Sequence, residues 1–249
     1  PLTCEDSTFE ITNNSYFGCD TTDTTPLEPT DSAFFAYYFN DACNPIIDSV
    51  YNSSGFNPIQ HTYNNPGIYT ITVETNSSCN DTSFTSLINV YPKPNVSFTA
   101  NTVCIGEATI FNSNVSTNVY DSDTIICPDT TIIIPVPEGD TSNLIYTWTG
   151  LDNDSGIFVL GDNNHPTPQF IFNSCGEHII SLTITDGNTC DTTFTDTVIV
   201  WDTPKAGYLI NPVCEGATTS FIDTSSFNLD CYGTPITSWA WDFGDGSSI

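Results

Sequence analysis

Positive charge is almost missing from this chain. Its 249 residues hold 2 Lys+Arg against 30 Asp+Glu, a formal net charge of −28. Binding to nucleic acid or to an anionic membrane surface needs cations that replace counterions, so both are excluded as partners. Lys93 and Lys205 are the only two cations and cannot build a phosphate site. No apolar run approaches the ~20 residues of a membrane helix, so membrane insertion is not expected. No CxxC pair occurs, and His61, His165 and His178 lie far from any cysteine cluster, which argues against zinc. Three scattered histidines also support no Ser/His/Asp arrangement, so no catalytic residue and no cofactor is expected, and the chain is read as a non-enzyme. It opens at Pro1 without Met or a signal peptide, which reads as a mature or excised piece of a longer protein.

Apolar residues are not missing. Hydrophobic residues make up 38% and aromatics 12%, so the chain folds and is not an acidic disordered tail. The length suits two or three domains, each able to bury its own core. Ten cysteines in an acidic, Thr- and Asn-rich chain fit an oxidising compartment, so the expected location is extracellular or the cell surface.

The sequence repeats. Thr3-Cys4-Glu5, Val103-Cys104-Ile105-Gly106-Glu107 and Val213-Cys214-Glu215-Gly216-Ala217 are three versions of one opening, each followed by a Phe-bearing strand at Phe9, Phe111 or Phe221. Ser78-Cys79-Asn80-Asp81-Thr82 matches Thr189-Cys190-Asp191-Thr192-Thr193. Each leads into an apolar strand and then a proline junction, Pro92-Lys93-Pro94 or Pro204-Lys205.

Period-two alternation, as in Tyr69–Val73 and Ile180–Ile184, predicts β-strands, and turn signals such as Pro66-Gly67 and Asp186-Gly187 separate them. No window carries a convincing 3.6-residue apolar face. The expected fold class is all-β, tandem immunoglobulin-like sandwiches over residues 1–92 and 95–203, with the N-terminal part of a third domain, cut short, over 206–249.

Trp239-Ala240-Trp241-Asp242-Phe243-Gly244-Asp245-Gly246 resembles the W-x-F-G-D-G signature of the PKD (polycystic kidney disease) domain. Asn57-Pro58-Ile59-Gln60-His61-Thr62-Tyr63 with Gly67-Ile68-Tyr69 resembles a second family segment, and His165–Phe170 with Gly176–Ile179 a variant of it. The V-C-x-G opening with a later C-D-T resembles PKD-like repeats of large Bacteroidota surface proteins, adhesins among them, exported by the type IX secretion system. Tyr37–Asp41 and Tyr146–Gly150 depart from the signature in the first two units. Read physically, Trp241 and Phe243 share one strand face and pack between sheets, Gly244 and Gly246 permit the turn, and Asp245 caps it.

Candidate sites follow. Asp152-Asn153-Asp154-Ser155-Gly156 alternates hard oxygens, making Asp152 and Asp154 candidate Ca2+ ligands, although the loop lacks a full EF-hand set. Asp is followed by Ser or Thr at 15 of its 22 positions, far above the share expected in a chain roughly one-quarter Ser and Thr. Nine of these resemble a Bacteroidota O-glycosylation motif, giving candidates Ser7, Thr21, Thr24, Ser32, Ser49, Thr124, Thr130, Thr192 and Thr197. N-x-[S/T] sequons at Asn13, Asn52, Asn76, Asn80, Asn95, Asn114 and Asn153 matter only in a eukaryotic source. The repeat alignment pairs Cys4 with Cys79 and Cys104 with Cys190, leaving Cys19–Cys43 and Cys127–Cys175. Cys214 and Cys231 are expected to pair with residues beyond Ile249. The four cysteines of each full unit allow two other pairings.

The reading is a non-catalytic segment of a secreted multi-domain surface protein, a stalk, adhesin or filament. The alternative is a carbohydrate- or protein-binding PKD array of a secreted hydrolase, which exposed aromatics on one sheet face would favour; Tyr37, Tyr38 and Phe39 are the densest run. Expected partners are neighbouring repeats, copies of itself in a filament, or a surface glycan or protein. Lys93 and Lys205 are expected beside carboxylates that limit bending at the junctions, with Asp202 and Glu107 or Glu215 as candidates.

Overall fold

The computed structural model describes residues 2–12, 33–39, 47–52, 59–76, 81–116, 122–126, 131–228, 231 and 235–246. Every regular element among them is a strand. The first seven are β1 (Leu2–Cys4), β2 (Thr8–Ile11), β3 (Ala33–Tyr38), β4 (Ile47–Asn52), β5 (Ile59–Thr62), β6 (Gly67–Asn76) and β7 (Asp81–Tyr91). One sheet runs β1-β7-β6-β3-β4, and β2 pairs with β5. β1 lies parallel to the end of β7, with Cys4 opposite Tyr91.

The next ten are β8 (Asn95–Ala100), β9 (Val103–Cys104), β10 (Ala108–Ser116), β11 (Ser122–Ile126), β12 (Thr131–Pro135), β13 (Ile145–Thr149), β14 (Gly156–Leu160), β15 (Gln169–Phe172), β16 (Gly176–Thr185) and β17 (Asp191–Trp201). They form sheets β14-β15-β10-β8 and β13-β16-β17-β9, with β11-β12 as a separate hairpin. Read in chain order, these two sheets are the ABED and CFG sheets of an immunoglobulin constant-type sandwich. The short β9 again runs parallel to the end of the last strand, with Cys104 opposite Trp201. The last pair is β18 (Tyr208–Ile210) and β19 (Phe221–Asp223), antiparallel. No sheet joins a strand before Pro92 to one after Pro94 among the described residues.

By spatial grouping the chain forms two compact units. One takes Pro1–Asn95, Val115–Leu144 and Thr185–Thr192; the other takes Val96–Asn114, Ile145–Ile184 and Thr193–Ile249. The first unit centres on a cluster of Tyr37, Phe39, Tyr63, Tyr69, Ile71, Ile88 and Val90. Alternation builds it, since inward residues sit two apart on β6 and β7. The buried Tyr63 hydroxyl donates to the Phe39 carbonyl at 2.7 Å, which satisfies both groups inside the core. Thus Tyr37 and Phe39 belong to the core rather than to an exposed sugar-stacking face, while the Tyr38 hydroxyl donates outward to Glu74.

In the second unit β16 shows the rule most plainly. Ile180, Leu182 and Ile184 are fully buried. Ser181 and Thr183, on the opposite face, hydrogen-bond across the ladder to Thr195 and Thr193 at 2.8 and 2.7 Å. Such cross-strand hydroxyl pairs explain why a Thr-rich sequence suits this sheet. Trp148 fills the sandwich between Phe98 and Phe111, at ring distances of 5.1 and 5.3 Å, and its indole N–H donates to the His165 carbonyl.

The same aromatic arrangement recurs near the end of the described chain. Trp241 lies 5.8 Å from Tyr208 and 5.7 Å from Phe221. Phe243 stacks on Trp241 and touches Phe221, so the two do share a face. Gly244 and Gly246 adopt the expected positive φ. The Gly244 amide, however, is accepted by Asp242, whose carboxylate sits two residues back in the usual Asx-turn relation.

Candidate functional site

Three turns of one kind carry the chain's most repeated chemistry. The amide three residues on donates to the cysteine carbonyl in each: Ser7 to Cys4, Glu107 to Cys104 and Ala217 to Cys214, at 3.2, 3.0 and 3.0 Å. The residue before that donor is left-handed, with φ of 56° at Asp6, 89° at Gly106 and 81° at Gly216. Glycine takes this conformation without strain, and Asp is among the few residues that tolerate it. In the first two turns the residue after the cysteine also donates to the last strand of its sheet, Glu5 to Tyr91 and Ile105 to Trp201.

The cysteine pairing differs from the expected one. Cys4 is bonded to Cys190, with Cα atoms 5.6 Å apart across a sequence separation of 186. Cys175 is bonded to Cys231, with Cα atoms 5.5 Å apart. Cys104 and Cys214 are free. The expected Cys4–Cys79, Cys104–Cys190 and Cys127–Cys175 bonds are therefore replaced, and Cys231 finds its partner inside the chain. Strand length supplies the reason. Cys104 pairs in register with Trp201 at the end of β17, while Cys190 precedes Asp191 at its start. Ten residues at ~3.3 Å separate these ends by ~33 Å, against the 4.4–6.8 Å that a disulfide allows. The same parallel register puts Cys4 at the end of β7 beside Tyr91. Cys19, Cys43, Cys79 and Cys127 lie outside the described residues.

Cys190 sits in a built turn. Its amide and that of Asn188 both donate to one oxygen of the buried Asp186, at 2.9 Å each, and its carbonyl accepts from the Asp186 amide. Asp140 accepts through its carbonyl from Gly187, so the segment before β13 braces this turn.

The other candidates occupy structural positions. Asp152 accepts from the amides of Ser155 and Asp154 through one carboxylate oxygen, at 2.8 and 3.2 Å. The Ser155 hydroxyl accepts from the Asp152 amide and donates back to the Gly150 carbonyl. These bonds, the Ser155 amide first, hold the Asp152 carboxyl below its ordinary range. The carbonyl of Asp154 accepts from Asn173. Calcium takes six to eight oxygens. Among the described residues no group of three or more His, Cys, Asp or Glu side chains could hold a metal ion.

His61 stacks on Phe39 at 4.0 Å inside the first core. His165 accepts the Thr167 amide through Nδ1, and His178 lies against Phe172 and the Ser174 carbonyl. Of the O-glycosylation candidates, Thr197 is exposed, Ser7 is half-buried with its hydroxyl directed at the Glu5 carbonyl, and the Thr192 hydroxyl is buried. Ser49 and Thr124 lie on β4 and β11. Thr21, Thr24, Ser32 and Thr130 lie outside the described residues. At the junctions it is backbone that is engaged: the Lys93 amide donates to the Glu5 carboxylate at 2.9 Å, and Lys205 exchanges two backbone bonds with Ser226. Sequence reasoning named Asp202 and Glu107 or Glu215 as partners of the lysine ammonium groups; Glu5, which stands next to the bonded cysteine, holds the Lys93 backbone amide instead.

No protein-family model matches the chain, and no curated protein matches it. Solved structures similar to it include the fibronectin(III)-like modules of Clostridium thermocellum CbhA, at 14% identity and a TM-score of 0.34, covering 81% of this chain and 89% of that one. Extracellular domains 3–5 of Drosophila OTK match at 11% identity and a TM-score of 0.32, over 71% of this chain and 58% of that one. Bacteroides ovatus SGBP-B, solved with a mixed-linkage heptasaccharide, matches at 13% identity and a TM-score of 0.25, over 96% of this chain and 58% of that one. The chain thus spans less than two thirds of the last two. Its immunoglobulin-like β-sandwich fold follows from its own strand order and register.

Proposed function

We propose that the chain is a non-catalytic, load-bearing segment of an extracellular multi-module protein, built from PKD-like repeats and serving as a stalk, adhesin or filament. The observation that carries this reading is the Cys4–Cys190 bond. It ties the turn after β1 to the turn before β17, across 186 residues, so tension between the chain's ends would bypass the segment between the two cysteines. A mechanical element strapped in this way keeps its length under load. The C-terminal Trp241–Gly246 turn, with its Asx geometry, supports the PKD-like identity. Thr197, exposed on β17, is better presented for a surface sugar than Ser7 or Thr192.

Single-molecule pulling between the chain's two ends tests this. Oxidised chain is expected to withhold the strapped segment, and reduction is expected to release at most ~600–670 Å more, at ~3.3–3.6 Å per residue. Equal extension before and after reduction overturns the reading.

A further inference from the structure

We propose that Cys104 is the attachment point for a second bond of the Cys4–Cys190 kind. It would be a disulfide to the cysteine in the penultimate-to-last strand turn of an immunoglobulin-like module that follows β17. The inference rests on the tandem-array reading and deepens it.

Three observations converge. Cys104 occupies the same turn as Cys4, with the same carbonyl acceptor, left-handed residue and bond to the closing strand. In this molecule the equivalent Cys4 is already bonded to such a turn cysteine, Cys190, while Cys104 is free. Beside Cys104 an open cavity of about 380 Å³ is lined by Trp201, Pro204, Phe227 and Ile236.

Strand direction explains why these two kinds of cysteine meet. In β8–β17 the cysteine turn sits at the end of β17, where the chain leaves through Asp202 and Pro204. The β16–β17 turn that holds Cys190 is at the other end, ~33 Å away. In any head-to-tail array the exit end of one module adjoins the entry end of the next. The cysteine turn of each module then faces the last-hairpin turn of its successor. Cys175 obeys the same logic: it lies in the β15–β16 turn, at the exit end, and bonds forward to Cys231. The exit end that carries Cys175 therefore already has one forward disulfide, and Cys104 supplies the thiol for another.

Bond formation is thiol–disulfide exchange with a small-molecule disulfide such as oxidised glutathione. The Cys104 thiolate attacks one sulfur, forming a mixed disulfide and expelling one glutathione thiolate. The incoming turn cysteine, as thiolate, attacks the Cys104 Sγ and expels the second. Two protein thiols are oxidised, one glutathione disulfide is reduced, and the two protons pass to the released thiolates.

The test supplies a following module in cis. A second copy of residues 95–204, carrying Cys104→Ser so that only the first copy yields a Cys104 peptide, is inserted after Pro204 of the full chain, refolded in a glutathione redox buffer, blocked with N-ethylmaleimide and mapped by non-reducing digestion and mass spectrometry. Cys104 of the first copy is expected to be linked to Cys190 of the inserted copy. Its labelling should fall at least tenfold relative to the unmodified chain, and Cys190→Ser in the inserted copy should restore it. Undiminished Cys104 labelling, or linkage to any other cysteine, with Cys4–Cys190 intact overturns the proposal and leaves the array reading standing. Loss of Cys4–Cys190 from the unmodified chain overturns the array reading itself. An inserted chain that fails to fold leaves a second check on the native 249-residue chain: Cys104 must be labelled there, and a Cys104 that resists labelling contradicts the proposal.

Discussion

Trp148 and Trp241 have the same neighbours and different fates. Each touches an aromatic from the first strand of its region and a Phe from a later one, with ring distances of 5.1–5.8 Å. Trp148 is 2% exposed, closed in by two four-stranded sheets. Trp241 is half-buried beside the two-stranded β18-β19 pair, where Tyr208, Leu209 and Ile222 are more than half exposed. The local aromatic code is therefore written by strand sequence alone. Burial, and the energy that comes with it, needs the second sheet.

Perturbations should separate these two layers. The largest effect is expected from cutting the strap: Cys4→Ser removes a closed loop of 186 residues, worth about 5 kcal/mol at 25 °C by loop entropy. Urea unfolding should show it as a lower midpoint. Next, Trp148→Ala should cost about 3–5 kcal/mol, since it empties a closed core. Trp241→Ala should cost only about 1–2 kcal/mol, because part of the ring already meets solvent. Equal losses for the two would mean that burial does not set the difference. Tyr63→Phe removes one buried hydrogen bond to the Phe39 carbonyl and should cost about 1 kcal/mol, also read from urea midpoints.

The smallest effect concerns Asp152. Its carboxyl is held below the ordinary value of 3.8 by the Ser155 bonds, so the charged form favours the folded turn. That contribution is present above the ordinary carboxylate range and is lost as pH falls through the lowered folded value. The gap in urea midpoint between the parent chain and Asp152→Ala should close between pH 5 and pH 2. A gap that stays constant over that range contradicts the capping role.

Much of this was legible from the residues. Alternation at Ile180, Leu182 and Ile184 shows which strand face is buried, because period two has no other solution on a half-buried sheet. The shared face of Trp241 and Phe243 and the glycine turn that follows are read in the same way. Cysteine partners were not legible. Aligning Cys4 with Cys104, and Cys79 with Cys190, shows which cysteines are equivalent. It does not show which end of a sandwich each occupies, and that depends on the parallel pairing of β1 with β7 and β9 with β17. The β11-β12 hairpin was hidden for a related reason: it lies between β10 and β13 and, among the described residues, forms a sheet of its own, so no repeat marks it. The sequence marks Asp245 as a cap of the glycine turn; that Asp242 accepts the Gly244 amide is visible only from the backbone geometry.

Non-reducing peptide mapping of the intact 249-residue chain tests the central claim most directly. Peptides joining Cys4 to Cys190 and Cys175 to Cys231, with Cys104 and Cys214 alkylated, are the expected result. Peptides joining Cys4 to Cys79 and Cys104 to Cys190 would mean that each repeat closes on itself, and would contradict an array strapped from one module to the next.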